Sequence, residues 1–531
     1  MYACRRRSSL LARRNAPWVL FVAGDPIVAV THPAQRAFAY FLVARMNAAD
    51  KRENLILDIK PNAEPSRPAA WLNSYVGVVF VHAAQLVFLL LVAAHAKFCC
   101  DATDYYIPAG RSIVHEGLLW QDPYAGYRFY FVPMVFGALQ KVLGMSAGDA
   151  PAQLPFALAT IFCLVSTATS ILIVRQNGMR RWMAYAAPLF FNPFLLAVVP
   201  YPLQESVVII FCVPLLVILL ASEQRDYRKT CVIAALFCGI AFVARSSLLW
   251  MLIPALLFAG CEAWRARPGK SHILQGIALA SLIWLGLIAP QSYISWNKFG
   301  TVVPLAQTAV GHDQFAYGVA LLNYATIFDD KGFGPFPVLS PYNDLPAAEK
   351  TVAFYLRHPA EGIFLVLAHV WSGLNYVALT PYVAKADLTI LSPWLILSSA
   401  VVAYGFLGLV SLFTRREGRS AAFLLTALAL FSCAYTALVG TESRFGLVGF
   451  AALSVSAWQF LTNRENFGRC LHALPLVLAY IGLSVAVNAL LLYRTPVLWP
   501  HLGAARPVPP GPHGPFSAEC VNADPNINQA S

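Results

Sequence analysis

The segment WLNSYVGVVFVHAAQLVFLLLVAAHA (Trp71–Ala96) decides the fold class, because it holds no acidic or basic residue apart from two histidines. A helix needs about 20 apolar residues to cross the hydrocarbon core of a bilayer. Ten further apolar runs follow it along the chain: Gln153–Val174, Trp182–Val199, Gln204–Leu220, Cys231–Ala244, Leu248–Trp264, Ile273–Trp296, Leu391–Phe413, Ala421–Val439, Phe445–Leu461 and Leu474–Leu492. We therefore expect an all-α polytopic membrane bundle of about 11–13 transmembrane helices.

The composition agrees with a membrane protein and argues against several other classes. Of the 531 residues, 58% are hydrophobic and 12% are charged, with a net charge of +12, whereas soluble domains carry roughly 25% charged residues. Much of the positive charge lies in short loops, where it sets orientation rather than binding nucleic acid. The eleven cysteines show neither a disulfide framework nor metal-ligand spacing.

Basic clusters between the apolar runs predict the orientation of the chain. With the N-terminus in the cytosol, five clusters fall on the cytosolic side, as expected for a membrane protein. They are Arg175/Arg180/Arg181, Arg225/Arg228/Lys229, Arg265/Arg267/Lys270, Arg415/Arg416/Arg419 and Arg464/Arg469. The long loops 97–151 and 297–390 then lie at the outer face, where we expect juxtamembrane helices.

Both ends of the chain differ from this central part. Residues 1–70 predict a basic, poorly ordered cytosolic leader, and Met46 offers an alternative start. Residues 71–492 form the predicted membrane domain. Residues 493–531 are rich in proline and predict a disordered tail.

One segment leaves the number of crossings open. Residues 361–383 are long enough to span, but His369, Trp371 and Asn375 suit a membrane interface better than a bilayer centre. We favour an outer-face interfacial or re-entrant helix. A true span is the alternative, and it would invert every later loop.

Acidic residues gather at the predicted outer ends of the apolar runs. Asp101 and Asp104 follow the first run, Glu205 opens another, and Glu442 precedes a late one. Each could simply cap a helix, since negative charge is favourable at a helix N-terminus. A partly desolvated carboxylate at this position can also act as a general base towards an acceptor hydroxyl, and for Asp101 this functional reading stands beside the capping one.

Three arginines occur at the same predicted face. Arg128 lies among aromatic residues, Arg245 ends an outward run and Arg444 opens a late one. Arginines near a membrane surface often only anchor to head groups or snorkel. They are also residues that bind phosphate through charge-assisted hydrogen bonds, and Arg245 and Arg444 could instead pair with the carboxylates at this face, so the residues by themselves leave these roles open.

Several motifs are missing from the chain. It holds no Walker A pattern, no GxGxxG, no HExxH and no Ser-His-Asp spacing, and no predicted cytosolic loop is large enough for a nucleotide-sugar domain. Any activated donor is therefore expected to be borne by the membrane.

The order of these residues resembles the GT-C superfamily of integral-membrane glycosyltransferases, especially protein O-mannosyltransferases and lipid A aminoarabinose transferases. The similar features are Asp101 with Tyr105, Ala109, Ile113 and Gly117, the segment Val132-Pro133-Met134 through Gly144, Glu205, Arg245, the segment Trp296–Gly318, Leu356-Arg357-His358-Pro359 and Glu442-Ser443-Arg444-Phe445. They cover most of residues 72–465. Two departures are Glu at position 205, where Asp is more usual, and a basic motif reduced to Arg128 five residues before Pro133.

The resemblance implies transfer of a sugar, with inversion, from a polyprenyl-phosphate carrier to a hydroxyl of a glycan, lipid or protein acceptor. Asp101 and Glu205 would be catalytic, and Arg128, Arg245 and Arg444 would bind the donor phosphate. The resemblance assigns Asp104, Tyr105, Asn297, His358 and Glu442 to orienting the substrates. No cofactor is required, although a divalent cation stays open.

The implied location is the bacterial inner membrane, with the site on the periplasmic side. The alternative function is a transporter or flippase for a lipid-linked or sugar substrate, which predicts helix breaks and polar groups in mid-span. A non-catalytic scaffold, whose outer acids only cap helices, is a third reading.

Overall fold

The computed structural model describes residues 18–22, 25–30, 67–98, 101–119, 128–145, 151–221, 226–304, 309–329, 332–346, 348–384, 388–413, 419–439, 443–463 and 466–503. Residues Asn73–Ser531 form one compact unit, and Met1–Leu72 form another. Within the unit Met1–Leu72 the structure describes an antiparallel hairpin of β1 (Trp18–Val22) and β2 (Asp25–Val30). The sequence predicts no such pairing in the leader.

Helices make up most of the described chain. In order they are α1 (Arg67–Ala94), α2 (Ile107–Glu116), α3 (Phe131–Val142), α4 (Leu154–Arg181), α5 (Ala187–Phe190), α6 (Pro193–Leu196), α7 (Gln204–Ala221), α8 (Tyr227–Ala244), α9 (Leu252–Ala266), α10 (Lys270–Phe299), α11 (Ala309–Ala320), α12 (Val352–Arg357), α13 (Pro359–Leu374), α14 (Pro393–Phe413), α15 (Arg419–Val439), α16 (Leu447–Thr462) and α17 (Phe467–Gly503). Among the described residues, ten helices are long and apolar enough to cross a membrane. The all-α polytopic fold class is therefore confirmed.

The chain reverses direction inside what would otherwise be a single long helix. Gly178 has φ 78° and ψ 167°, a conformation that residues with a Cβ avoid. The rings of Phe162 and Phe190 lie 6.2 Å apart, although a continuous helix would separate these residues by about 42 Å. The continuous apolar stretch Leu154–Phe190 is therefore a hairpin, and its second arm is the run predicted at Trp182–Val199.

This second arm is broken where α5 ends and α6 begins. The break exposes backbone groups that must be satisfied in the absence of water. The Gln85 side chain donates to the Phe190 carbonyl, and the Asn192 side chain accepts from the backbone N–H groups of Phe194 and Leu195. His82 hydrogen-bonds Gln85 and, from its other ring nitrogen, Ser170. Polar side chains of α1 and α4 thus hold the break closed.

The spans differ in how deeply they lie in the bundle. Three of the ten bury the largest share of their residues, namely α7, α8 and the span that runs from Arg444 through α16. Helices α10 and α17 bury few of their residues and form the periphery. The main apolar core joins residues of α1, α4, α7, α8, α14, α15 and α16. Whatever lies at the ends of the central helices is therefore held by the most closely packed part of the molecule.

The first long loop, residues 97–151, contains the predicted juxtamembrane helices as α2 and α3. These two helices approach backbone to backbone: a Cβ added at Gly110 would lie 2.6 Å from the Pro133 oxygen and 2.7 Å from the Gly137 nitrogen. Before α2, residues Asp101–Tyr106 form a wider π-helical turn.

The second long loop, residues 297–390, holds a sheet that the sequence does not predict. Strands β3 (Leu321–Asp329), β4 (Gly332–Leu339) and β5 (Tyr382–Ala384) form it, with β3 central, antiparallel to β4 and parallel to β5. The open segment 361–383 is the 16-residue helix α13 followed by β5. A helix of this length is too short to cross the hydrocarbon core.

At the C-terminal end, the last helix is longer than the sequence predicts. Helix α17 continues to Gly503, beyond the boundary at residue 492. The rest of the predicted tail, 504–531, lies outside the described residues.

Candidate functional site

Charged residues meet at one end of the central spans. Glu205 lies in the first turn of α7, Arg245 directly follows α8, and Arg444 precedes α16. Since α7 and α16 start where α8 ends, the three side chains reach the same end of the bundle. The ring of Tyr382 in β5 packs 5.6 Å from that of Tyr201, just before α7, so the second long loop lies at this end too.

Glu205 and Arg245 form the buried half of the cluster. Arg245 Nη1 donates to Glu205 Oε1 over 2.5 Å, and the two side chains are only 7% and 2% exposed. Arg245 Nε also donates to Ser247, and its guanidinium lies 4.2 Å from the centre of the Phe445 ring. These contacts fix Arg245 on several sides. The second oxygen of Glu205, Oε2, is buried and accepts no hydrogen bond in the described part of the chain.

Asp101 and Arg128 form the accessible half. Arg128 Nη2 donates to Asp101 Oδ1 over 2.8 Å, and the side chains are 34% and 36% exposed. The π-helical turn that begins at Asp101 places two aromatic rings beneath the arginine, with its guanidinium 4.8 Å from the Tyr105 ring and 5.2 Å from the Tyr106 ring. Irregular turns of this kind are frequent at functional sites.

The two halves belong to one electrostatic cluster. Burial acts to raise the pKa of Asp101, but Arg128, Arg444 and Arg245 together outweigh it and hold that pKa below its usual value. Arg444 also reaches the buried pair, with its Nε 3.9 Å from Glu205 Oε1. Among the side chains described here, three guanidinium groups therefore face two carboxylates, which is a setting that attracts an anion.

Tyr106 joins the halves physically. Its hydroxyl donates to Gln204 Oε1 over 3.0 Å, and Gln204 precedes Glu205 in the chain. Burial, which outweighs the opposing effect of Arg128, raises the pKa of Tyr106 to about 12, and the carboxylates of Asp101 and Glu205 act in the same direction as burial. The hydroxyl therefore stays protonated at neutral pH and remains a hydrogen-bond donor.

The remaining predicted site residues are placed less centrally. Asp104 lies in the π-helical turn, but its side chain and Glu442 are outside the described residues. Asn297 is exposed and donates to the Tyr293 carbonyl of its own helix. His358 is exposed, its ring packs at a tilt against that of Phe354, and it precedes α13, whose other end packs against the turn that contains Arg444. The length of α13 separates His358 from that turn by about 22 Å.

Sequence reasoning assigned no role in the site to three members of the cluster, namely Tyr106, Gln204 and Phe445. Each directly neighbours a predicted residue, yet aromatic and amide side chains are ordinary at a membrane interface. Their roles depend on which way the π-helical turn and the start of α16 face, and spacing alone does not give this.

Within the described ranges, no group of three or more His, Cys, Asp or Glu side chains is placed to hold a metal ion. In comparisons with known proteins, no family model matches the chain and no curated protein is significantly similar to it. The resemblance to GT-C glycosyltransferases therefore rests on the residues quoted above.

Proposed function

We propose that this protein is a membrane glycosyltransferase that moves a sugar from a polyprenyl-phosphate donor to an acceptor hydroxyl. The observation that carries the proposal is the convergence of Asp101, Glu205 and three arginines at one end of the most buried spans. A carboxylate beside several guanidinium groups offers a base for the acceptor and a binding site for the leaving phosphate.

In this reaction Asp101 takes the proton of the acceptor hydroxyl while the hydroxyl oxygen bonds to the anomeric carbon. The bond from that carbon to the phosphate oxygen breaks, and the configuration at the anomeric carbon is inverted. The lipid phosphate leaves with the electron pair, and Arg444 and Arg128 stabilise its developing charge. Arg245 and Glu205, which are buried and fixed by each other, position Arg444 and the start of α7.

We also propose that the site faces the periplasm of a bacterial inner membrane. The basic clusters mark the cytosolic ends of the helices by the positive-inside rule, and Asp101, Glu205, Arg245 and Arg444 follow or precede helices at their opposite ends. A polyprenyl carrier is the kind of donor available there, and the acceptor is a glycan, a lipid or a protein that presents a hydroxyl.

The test is transfer by the purified full-length protein in lipid nanodiscs, with a polyprenyl-phosphate sugar and cell-envelope acceptors. Asp101→Asn should lower turnover by two orders of magnitude or more, because a positioned base contributes about 10²–10⁴-fold. Asp226→Asn, which alters an ion pair at the opposite end of α8, is the matched control and should retain activity. Asp101→Asn with unchanged turnover rules out the assigned base, and no transfer from any such donor rules out the proposal.

A transporter or flippase is the second candidate, and the broken arm between α5 and α6 favours it. Transporters commonly bind their substrate where discontinuous helices meet near the bilayer midplane. Here, however, side chains of the protein itself already satisfy the Phe190 carbonyl and the Phe194 and Leu195 N–H groups. Uptake of a labelled lipid-linked sugar into protein-free and protein-containing vesicles separates the two functions, since only a transporter moves the label without forming product.

A further inference from the structure

The two ion pairs of the cluster differ in how readily a ligand could reach them. Glu205 and Arg245 are almost completely buried, whereas about a third of Asp101 and of Arg128 is exposed. Ion pairs that solvent can reach contribute little to stability. An incoming anion can therefore compete for Arg128 but not for Arg245.

Arg128 also has hydrogen-bonding capacity to spare. A guanidinium group carries five N–H donors, and in the described part of the chain Arg128 makes one hydrogen bond, from Nη2 to Asp101. Its flat face rests on Tyr105 and Tyr106, so the position of the group is kept even if the carboxylate leaves. Phosphate matches a guanidinium in a bidentate manner that the single contact to Asp101 does not use.

We propose that the Asp101–Arg128 pair is a latch that the donor's own phosphate opens. The phosphate takes over Arg128, and Asp101 is released to face the acceptor hydroxyl. This inference rests on the proposed function for the identity of the anion, while the exchange of partners at Arg128 is a property of the pair itself.

Opening the latch changes Asp101 from a weak base to a stronger one. Among the described side chains, Arg128, Arg444, Arg245 and Tyr106 interact electrostatically with it. Tyr105 faces Arg128, and Glu205 acts on Tyr106. While the latch is closed, the guanidinium groups hold the pKa of Asp101 below its usual value. When a phosphate neutralises them, that pKa rises, and proton transfer to the carboxylate becomes more favourable. The base is thus strong only when a donor is present.

Binding measurements on variants test the latch directly. The full-length protein in nanodiscs is titrated at pH 7 with farnesyl phosphate and, in a separate arm, with inorganic phosphate. Asp101→Asn removes the competitor and should bind both about two- to fivefold more tightly than the wild type. Arg128→Gln should bind more weakly than the wild type, and Asp226→Asn should be unchanged. Binding by Asp101→Asn that is equal to or weaker than that of the wild type overturns the latch.

Loss of fold is separated by a second variant and a second readout. Asp101→Ser removes the same carboxylate and should show the same gain, and thermal unfolding identifies any variant that does not fold. In the wild type, labelling by a carbodiimide, which reacts with protonated carboxyl groups, reports the titration of Asp101. Its midpoint should move to higher pH when farnesyl phosphate is bound, and a midpoint that stays in place contradicts the latch.

The two proposals fail in different ways. If Asp101→Asn gains affinity for inorganic phosphate but the wild type transfers no sugar, the latch stands and the transferase does not. If sugar is transferred but Asp101→Asn gains no affinity, the transferase stands and the latch does not. A gain for farnesyl phosphate that exceeds the gain for inorganic phosphate identifies a lipid head group, rather than free phosphate, as the ligand.

Discussion

At the scale of single residues, the pair Glu205–Arg245 illustrates what charge costs inside a membrane protein. Both side chains are almost completely buried, so the interaction between their opposite charges must compensate for the lost hydration of each. Glu205 Oε1 accepts a hydrogen bond from Arg245 Nη1, and Arg444 Nε lies 3.9 Å from the same oxygen. We therefore regard Glu205 as the residue that holds the two arginines in register.

Replacing this carboxylate should be strongly destabilising. Glu205→Ala leaves Arg245 buried without its partner, and removing one member of a buried pair typically costs about 3–5 kcal/mol. Thermal or denaturant unfolding of the protein in detergent measures the loss. Asp226→Asn affects the exposed pair with Arg228 and should leave the unfolding midpoint nearly unchanged. Equal stability of Glu205→Ala and the wild type would show that the pair is not buried as described.

The residues of the cluster that could be predicted from the sequence are the charged ones, because a charge close to the membrane is energetically unfavourable. Asp101, Glu205, Arg245 and Arg444 stand out because a charge beside an apolar span is expensive. The structure brings these four side chains together with Arg128. Asn297 and His358, taken from the resemblance, contact Tyr293 and Phe354 instead. Their positions depend on the path of a long loop, for which the sequence carries no periodic signal.

At the scale of elements, hydropathy predicts the spans well because the bilayer imposes both length and apolarity on them. Hydropathy does not predict structure where tertiary contacts, rather than the hydrogen bonds of a regular helix, satisfy the backbone. At the break between α5 and α6, Gln85 from a distant span donates to the Phe190 carbonyl, and in the sheet of the second long loop strand β4 contains Gly and Pro. The break carries one local signal, since Asn192 and Pro193 form a helix start, whereas the sheet has no pattern that distinguishes it from an ordinary loop.

The close approach of α2 and α3 gives a prediction at this scale. Gly110→Ala places a Cβ against the Pro133 carbonyl, and overpacking of this kind typically costs about 1–3 kcal/mol. Because α2 follows the turn with Asp101 and α3 follows Arg128, sugar transfer should fall together with the unfolding midpoint.

The matched control is Gly77→Ala in α1, where an added Cβ meets nothing within 4 Å. In an open helix, alanine is more favourable than glycine by about 0.5–1 kcal/mol, so this variant should be neutral or stabilised. If Gly110→Ala behaves like Gly77→Ala, the two helices do not pack as closely as described.

At the scale of the whole molecule, the two ends of the bundle differ in chemistry. One end carries basic loops such as the reversal at Gly178 with Arg180 and Arg181. The other end carries the mixed cluster and the sheet. A through-membrane pathway would distribute charged groups along the spans, whereas here the charged side chains of the cluster lie at the helix ends. This asymmetry favours chemistry at one membrane surface.

The asymmetry also predicts which surface that is. Two exposed positions at opposite ends of the bundle are suited to replacement by cysteine. Gly269 lies in the turn between α9 and α10, and Asp344 lies in the loop after β4. By the positive-inside rule, a membrane-impermeant maleimide added to intact cells or spheroplasts should label Asp344→Cys and not Gly269→Cys. The wild type, whose described cysteines are buried or partly buried, provides the blank, and lysed cells should allow both positions to react. The reverse pattern would place the cluster in the cytosol, where soluble activated sugars are available. In that case a lipid-linked donor would no longer be needed to explain a site at the membrane surface.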